Sequence, residues 1–311
     1  MFRSALLSPH RGGSALAAAA VIAALAACAP ADSASSTTTS SAAAGASSGS
    51  ASASPSAGLA GTCAKDQLKL KKAGTLTVGT DKPAYTPWFV DDTPSNGKGF
   101  ESAVAYAIAD KLGFTQAEVT WTTVKFDALF SPKETTFDLD LNQVSIKDDR
   151  KKVVDFSSGY YDVTQAIVTT KGSKIAGAKS LADLKGAKLG AQRGTTSYQA
   201  ILDQIKPTNA PAVYPSNDNA KLALSNGQID GLVVDLPTAL YIAGAELKDG
   251  TVIGQLENVG GTPEQFGAVI DKGSALTPCV TQAVDALRAD GTLKKLADQW
   301  LTTTDGAPVL K

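Results

Sequence analysis

Apolar and polar positions along this chain switch between two periods. GTLTVGTD (74–81) sets Leu76 and Val78 on one side and ends in polar residues, the pattern of a strand that runs into a loop. From Phe100 to Leu112 the spacing becomes helical, with Phe100, Val104, Ala107, Ile108 and Leu112 on one face and Gly113 as the stop. EVTWTTVKF (118–126) and FDLDLNQVS (137–145) are the next strands. The sequence then repeats the theme. AKLGAQ (187–192) is strand-like, GTTS follows, and Tyr198 to Ile205 is helical. AVYPS, the helical KLALSNG and the apolar run GLVVD (231–235) come after it. Near the end, Thr277-Pro278 starts a helix with Val280, Val284 and Leu287 on one face, and Gly291 stops it. Leu293, Leu296, Ala297 and Trp300 give a last amphipathic stretch. Strands alternating with helices predict an α/β fold with largely parallel sheets.

In open α/β sheets, ligands bind beyond the carboxyl ends of the strands. That rule selects Thr80-Asp81, Asn142 to Ser145, Gln192 to Ser197, and Asp235. Two segments come from each half, so the expected site is a cleft between two lobes. Gly194 to Ser197 joins a strand to a helix start, which suits either an anion site or a capping motif without a ligand. Residues 147–152, KDDRKK, are six consecutive charges. Lys147, Asp148, Lys151 and Lys152 read as solvated, whereas the planar fork of Arg150 suits a carboxylate held in one orientation. Asp235 ends an apolar strand, where it can accept hydrogen bonds from an ammonium group or cap a helix starting at Leu236-Pro237. Tyr85, Trp88 and Phe126 lie near two of the tips, with core packing as the default for each.

Charge and composition narrow the field. With 29 basic and 30 acidic residues, the chain lacks the basic excess of a nucleic-acid binder. Arg3 and Arg11 precede an uncharged apolar run, Ala15 to Ala27, that is shorter than the ~20 residues of a membrane span. Residues 1–27 therefore read as a secretory signal peptide. The sequence Leu25-Ala26-Ala27-Cys28 looks like a bacterial lipobox, which would put a lipid on Cys28 and hold the exported protein at the membrane. The alternative is an ordinary cleavage site beside a chance cysteine. Cleavage removes the only histidine, His10. A Ser-His or Cys-His mechanism is then excluded, and the commonest zinc ligand is gone, so neither a cofactor nor a metal is expected. Cys63 and Cys279 remain as an even pair in an exported chain, for which a disulfide is the natural reading and two free thiols the alternative. Residues 28–62, nearly all Ala, Ser, Thr and Gly, cannot bury enough surface to order themselves and read as a flexible tether reaching on the order of 30 Å.

Several segments in order carry a resemblance. They are LTVGTD, GFE with its helix, VSIKDDRKKVVDFSSGYY, LADLKGAKLGAQRGTTS, GQIDGLVVD and LRADGTLKKLADQW, spanning roughly residues 70 to 302. Together they resemble solute-binding protein family 3, the amino-acid receptors of ABC importers. The most specific stretch is Ser145-Ile146-Lys147-Asp148-Asp149-Arg150, followed by Asp155-Phe156-Ser157 and Tyr160-Tyr161. The resemblance implies a two-lobed, type II periplasmic-binding-protein fold. Lobe 1 would hold 63–163 and 266–311, lobe 2 would hold 164–265, and two crossing strands near 162–165 and 264–266 would be the hinge. It implies that Arg150 pairs with a ligand α-carboxylate, helped by Ser145 and the backbone around Thr195 and Thr196. Asp235 would take the α-ammonium with the Gln143 carbonyl, Tyr85 and Phe126 would sandwich the side chain, and Asp81 would face its far end. The partners it implies are an amino acid and a membrane permease, with the receptor a monomer.

Four features depart from the family pattern. Lys147 replaces a threonine, and Gln143 replaces a small residue, so its longer side chain is expected to reach into the pocket. The loop from Asp81 to Tyr85 has one residue more than the family pattern before its aromatic, which leaves Trp88 able to share the role of Tyr85. Asp140 interrupts an apolar strand and by alternation shares a face with Asn142. An acid at 81, with Asp140 behind it, favours a glutamine-like or basic side chain over an acidic one. Two other functions fit the same pattern: an exported cyclohexadienyl dehydratase using Asp81 or Asp140 as its acid, and an amino-acid sensor module.

Overall fold

The structure, a computed structural model, describes residues 58–131, 135–258, 262–301 and 307–311, all within the unit Ala53–Lys311. The expected signal peptide, Cys28 and the tether up to residue 57 lie outside the described residues. The tether was expected to run to residue 62, but ordered contacts begin earlier. Leu59, the one larger apolar residue of that segment, packs on the first core, and its N–H donates to Lys111 O at 3.0 Å.

Two five-stranded sheets form two lobes. In the first, β1 (Leu76–Thr80) pairs in parallel with β2 (Val119–Thr123) and β3 (Leu139–Asp140). Beyond β3 lie β12 (Val269–Asp271) and then β4 (Val154–Phe156). In the second sheet the order is β10 (Gly250–Gln255), β6 (Gln165–Thr170), β9 (Gly231–Asp235), β7 (Leu189–Gln192) and β8 (Ala212–Tyr214). Between the lobes, β5 (Tyr161–Val163) and β11 (Glu264–Phe266) cross as an antiparallel pair.

The sheets are mixed rather than largely parallel, and chain direction explains why. Strands such as β3 and β9 end at the cleft. The strands that follow the crossing pair, β6 and β12, must start there instead. Gln165 accordingly lies opposite Asp235, and Val269 opposite Asp140, each in antiparallel register. One reversed strand per sheet is the consequence of passing between the lobes twice.

Helices follow the sequence periods closely. In the first lobe α1 (Phe100–Lys111), α5 (Thr277–Ala289) and α6 (Thr292–Trp300) cover one face of the sheet. Their Phe100, Val104, Ile108, Val280, Val284 and Leu287 pack on Leu76, Val78 and Leu139. Each such side chain, taken fully from water, contributes about 1.5–3 kcal/mol. Gly99 starts α1 at φ +96, and a Cβ there would lie 2.4 Å from the Trp88 carbonyl oxygen, so only glycine fits. In the second lobe α2 (Thr196–Ala200) continues as a wider turn to Ile205, α3 spans Asn217–Ser225, and α4 (Leu236–Tyr241) continues to Glu246. The run GLVVD is apolar throughout because both faces of β9 are covered. Val233 joins the cluster around Ile201 and Ile205, while Leu232 and Val234 join the one around Leu224 and Ile242.

A disulfide joins Cys63 to Cys279, tying the residues ahead of β1 to α5 across a separation of 216 residues. Replacing both cysteines by serine is expected to cost roughly 2–5 kcal/mol. Calorimetry should then show Tm lowered by roughly 5–15 °C. An unchanged Tm would mean that the crosslink does not constrain the unfolded chain.

Asp140 sits on β3 with no exposed surface, and neither carboxyl oxygen has a hydrogen-bond partner among the described residues. The missing side chain of Gly79 makes room for it, since a Cβ there would stand 2.5 Å from Oδ2. Burial pushes its pKa well above its ordinary value, and the charges of Glu101 and Asp81 push it further, which favours the neutral acid. Leucine has nearly the same outline without the polar atoms. Asp140→Leu is expected to stabilise the fold by about 1–3 kcal/mol, read as a higher Tm. A lower Tm would show that the carboxyl has a partner that leucine cannot replace.

Candidate binding site

The cleft is lined by the segments at the carboxyl ends of strands. From the first lobe come Asp81 after β1, Phe126 after β2, and Gln143 and Ser145 after β3, with Tyr85 and Arg150 alongside. From the second come Thr195 and Thr196 after β7 and Asp235 at the end of β9. They surround a narrow cavity of roughly 30 Å³ that opens to solvent. Of the residues expected in the site, Trp88 alone lies elsewhere.

Trp88 belongs to the core. It has no exposed surface and packs edge-on against Phe100, Tyr161 and Phe266, with ring centroids 6.0, 5.7 and 5.5 Å away. Its indole N–H reaches across the lobes to the Thr238 hydroxyl at 2.8 Å. Proximity in sequence to a strand tip suggested a stacking surface, but the loop turns its ring inward. It therefore does not share the place of Tyr85.

Arg150 is the one residue of KDDRKK that is buried; the other five are exposed. It opens a single helical turn, Arg150–Lys152, with its guanidinium 4.8 Å above the Phe130 ring and 5.6 Å from that of Phe126. Nη1 donates to Ser145 O at 2.8 Å, and Nη2 crosses the cleft to Gly194 O at 2.9 Å. Burial lowers its pKa, while Asp149, Glu264 and Asp235 raise it, and an arginine so placed stays a cation. Ser145 faces Thr196 across the cleft, with 3.3 Å between hydroxyl oxygens. Thr195 caps α2 by accepting from the Tyr198 N–H at 3.2 Å, and its hydroxyl donates to Gln192 O at 2.7 Å.

Asp235 does not cap α4, although it occupies the cap position. Its Oδ1 accepts instead from the Gln165 amide at 2.8 Å. The residue keeps some exposed surface through the cleft, yet protein crowds its carboxyl. Burial pushes the pKa up to about 8, the negative charge of Glu264 adds to the rise, and the Gln165 bond and Arg150 only partly oppose it. Asp81 accepts from the Phe126 N–H at 3.2 Å and sits 3.3 Å from the Lys125 ammonium. Tyr85 is half-buried beside it, and burial followed by the charge of Asp218 raises its pKa to about 12.

The long side chain of Gln143 is not free to enter the pocket. The residue has φ +49, its N–H donates to Glu101 Oε1 at 2.7 Å, and its side-chain amide bonds Glu101 Oε2. Tyr160 also donates to Glu101. Burial still holds the Glu101 carboxyl up at about 7 against these three donors. This anchor fixes the Asn142–Ser145 turn. Sequence reasoning left Glu101 out because it looked like one more polar position at a helix start. Gln165 and Glu264, which border the site from the crossing segments, were read only as part of the hinge. Gln192 and Ser197 lay inside a segment already selected, whereas Asn217 carried no signal beyond following the Ser216 cap of α3.

Comparison with known proteins identifies the family. Residues 76–303 match the model of the bacterial extracellular solute-binding proteins, family 3. The chain is 34% identical over 208 residues to ABC transporter arginine-binding protein 1 of Escherichia coli K12, covering 65% of this chain and 81% of that one. Among solved structures it is similar to an ancestral arginine-binding protein bound to glutamine, at 31% identity and TM-score 0.61, covering 73% of this chain and 97% of the other. It is also similar to an ancestral amino acid-binding protein described as a precursor of cyclohexadienyl dehydratase. There the identity is 32% and the TM-score 0.60, with 74% and 96% covered. With two lobes joined by crossing strands and a charged cleft at the strand tips, the chain belongs to the bacterial extracellular solute-binding proteins of family 3.

Proposed function

We propose that this chain is the extracytoplasmic receptor of an ABC importer and closes on a polar amino acid, with glutamine-like and basic side chains favoured. The observation that carries this reading is the pairing of a buried guanidinium, Arg150, with the Asp235 carboxyl across one small cavity. A zwitterion taken out of water needs a partner for each charge, because an uncompensated buried charge is costly. Arg150 supplies a fork for the carboxylate, with the Ser145 and Thr196 hydroxyls beside it. Asp235 supplies an acceptor for the ammonium, and Tyr85 and Phe126 supply apolar surface for the side chain. Asp81 stands at the far end, which suits an amide or a cation.

Closure follows from where these groups sit. Arg150, Ser145 and Asp81 belong to the first sheet's segments, Thr196 and Asp235 to the second's. A ligand that bonds both sets stabilises the closed arrangement over the open one by its differential contacts. The Arg150–Gly194 bond and an Arg193–Asp127 ion pair at 3.2 Å already cross the cleft. A lipid on Cys28 would keep the receptor beside its permease, and it would act as a monomer.

A dehydratase needs an acid in contact with substrate. The solved precursor described above keeps that reading in view with Asp81, which lines the cleft, as its candidate acid, since Asp140 has no exposed surface and cannot touch a molecule there. Capture and delivery is the reading that the charge arrangement favours.

The test is a thermal-shift screen of the intact chain against the twenty amino acids. A ligand that binds only the folded form adds about 2.7 kcal/mol at a hundredfold excess over Kd. A shift confined to a few polar or basic amino acids is expected, and no shift with any of them would overturn the reading. Arg150→Ala is expected to weaken that ligand on the order of 10²–10³-fold while circular dichroism stays native. Arg150→Lys, which keeps the charge and loses the fork, should recover only part of the loss. Unchanged affinity in Arg150→Ala would remove Arg150 from the clamp.

A further inference from the structure

The side-chain amide nitrogen of Gln165 has fewer hydrogens than the acceptors around it need. It carries two N–H bonds, and four oxygens lie within reach. They are Asp235 Oδ1 at 2.8 Å, Glu264 Oε2 at 3.3 Å and Oε1 at 3.5 Å, and Thr196 Oγ1 at 3.4 Å. The amide cannot rotate to relieve this, because the Ser197 hydroxyl donates to its oxygen at 2.6 Å. Glu264 also accepts from the Ser145 hydroxyl. Two carboxylates thus converge on one neutral donor, Asp235 from the end of β9 and Glu264 from the start of β11. With Asp235 ionised the place is rich in acceptors and poor in hydrogens, the complement of an ammonium group with three.

We propose that Glu264 is the second carboxylate of the ammonium subsite, a positioning residue that acts through Gln165 and Ser145 and makes the cleft demand a cationic head group. The inference rests on the reading of the cleft as an amino-acid site and names a residue that this reading had not used. Glu264 belongs to the crossing pair rather than to either sheet. Through Ser145 it fixes a wall of the first lobe, and through Gln165 it fixes Asp235 in the second. Without Glu264 the clamp holds one acid and one base. With Glu264 it carries an extra negative charge that a ligand's ammonium neutralises, whereas a hydroxy acid or an N-acylated amino acid cannot.

The charged surroundings determine the pH dependence. Asp235 faces Glu264, Glu101 and Arg150, with the phenols of Tyr160 and Tyr161 nearby. Glu264 faces Asp235 and Arg150 on the cleft side and shares a second cavity with Lys147, Asp203 and Glu257 on the other. Burial first and Glu264 second hold the Asp235 carboxyl up at about 8. Below that pH a proton occupies the acceptor that the ammonium needs, so binding must release it. Affinity therefore rises as pH rises towards 8 and levels off above. Removing the Glu264 charge lowers the Asp235 pKa and flattens the profile over this range.

Isothermal titration of the intact chain with L-arginine and L-glutamine as probes, from pH 6 to pH 8, tests this. The Kd of the unaltered protein is expected to fall about tenfold or more over that range, and that of Glu264→Gln less than about threefold. Titrating the unaltered protein at pH 7 in two buffers of different ionisation heat should show close to one proton released per ligand bound, a readout that needs no variant. Parallel profiles for the two proteins, or no proton release, would overturn the role of Glu264 and leave the amino-acid reading standing. Failure of both probes to bind the unaltered protein would take down that reading and this inference with it.

Discussion

The chain passes between its two lobes twice, and most of what matters at the cleft follows from that. A strand that leaves the crossing pair starts at the cleft, while the strands feeding the site end there. Each sheet is therefore obliged to hold one reversed strand. The reversal places Gln165, the first residue of β6, directly opposite Asp235, the last of β9. It places Val269 of β12 opposite Asp140 in the same way. Residues that begin a strand and residues that end one thus meet at a single level. That meeting is how a hinge segment can bond the floor of a binding site.

Charge at that level is unusually expensive to hold. Arg150 is one buried cation, and it faces Asp235 and Glu264, with Glu101 behind the Asn142–Ser145 turn. Coulomb attraction alone does not settle such a cluster, because every member has lost water. The structure answers with protons and with dipoles. Glu101 takes three donors and Asp235 takes the Gln165 amide, yet burial keeps both carboxyls above their usual range. Arg150 is met by two carbonyl oxygens and two aromatic faces rather than by a carboxylate of its own. None of these substitutes satisfies a full charge as well as an opposite charge would. A zwitterion improves both ends at once, and the closed form is the one in which it does so.

Much of this was legible in the sequence. The strand-to-loop patterns located the tips, and the rule that ligands bind beyond strand ends selected the segments that now share one cavity. The burial of Arg150 amid five exposed charges was not legible from composition, since a run of six charges reads as surface; only the motif around it distinguished that arginine. Trp88 misled because sequence gives the distance to a strand tip and not the direction of a ring. Gln143 misled because its length was visible and its partner, some forty residues earlier on α1, was not. The parallel count failed for a topological reason: hydrophobic period identifies a strand without its direction. Glu264 and Gln165 carried no local signal, because their importance lies in a meeting of segments about a hundred residues apart.

Asp140 and the Gln165 cluster are frustrated in different ways, and the difference separates a cost from a function. Asp140 has unsatisfied oxygens and no exposed surface, held in the room that the missing side chain of Gly79 leaves, so nothing arriving in the cleft can satisfy them. Burial and its acidic neighbours favour its protonated form, and a leucine is expected to serve the fold better. The oxygens around Gln165 are instead in excess of their donors beside an open cavity lined by Thr196 and Asp235. A group brought by a ligand can reach them. Unmet polar demand contributes to binding only where a ligand can meet it, and in this molecule that place lies between the crossing strands and the end of β9.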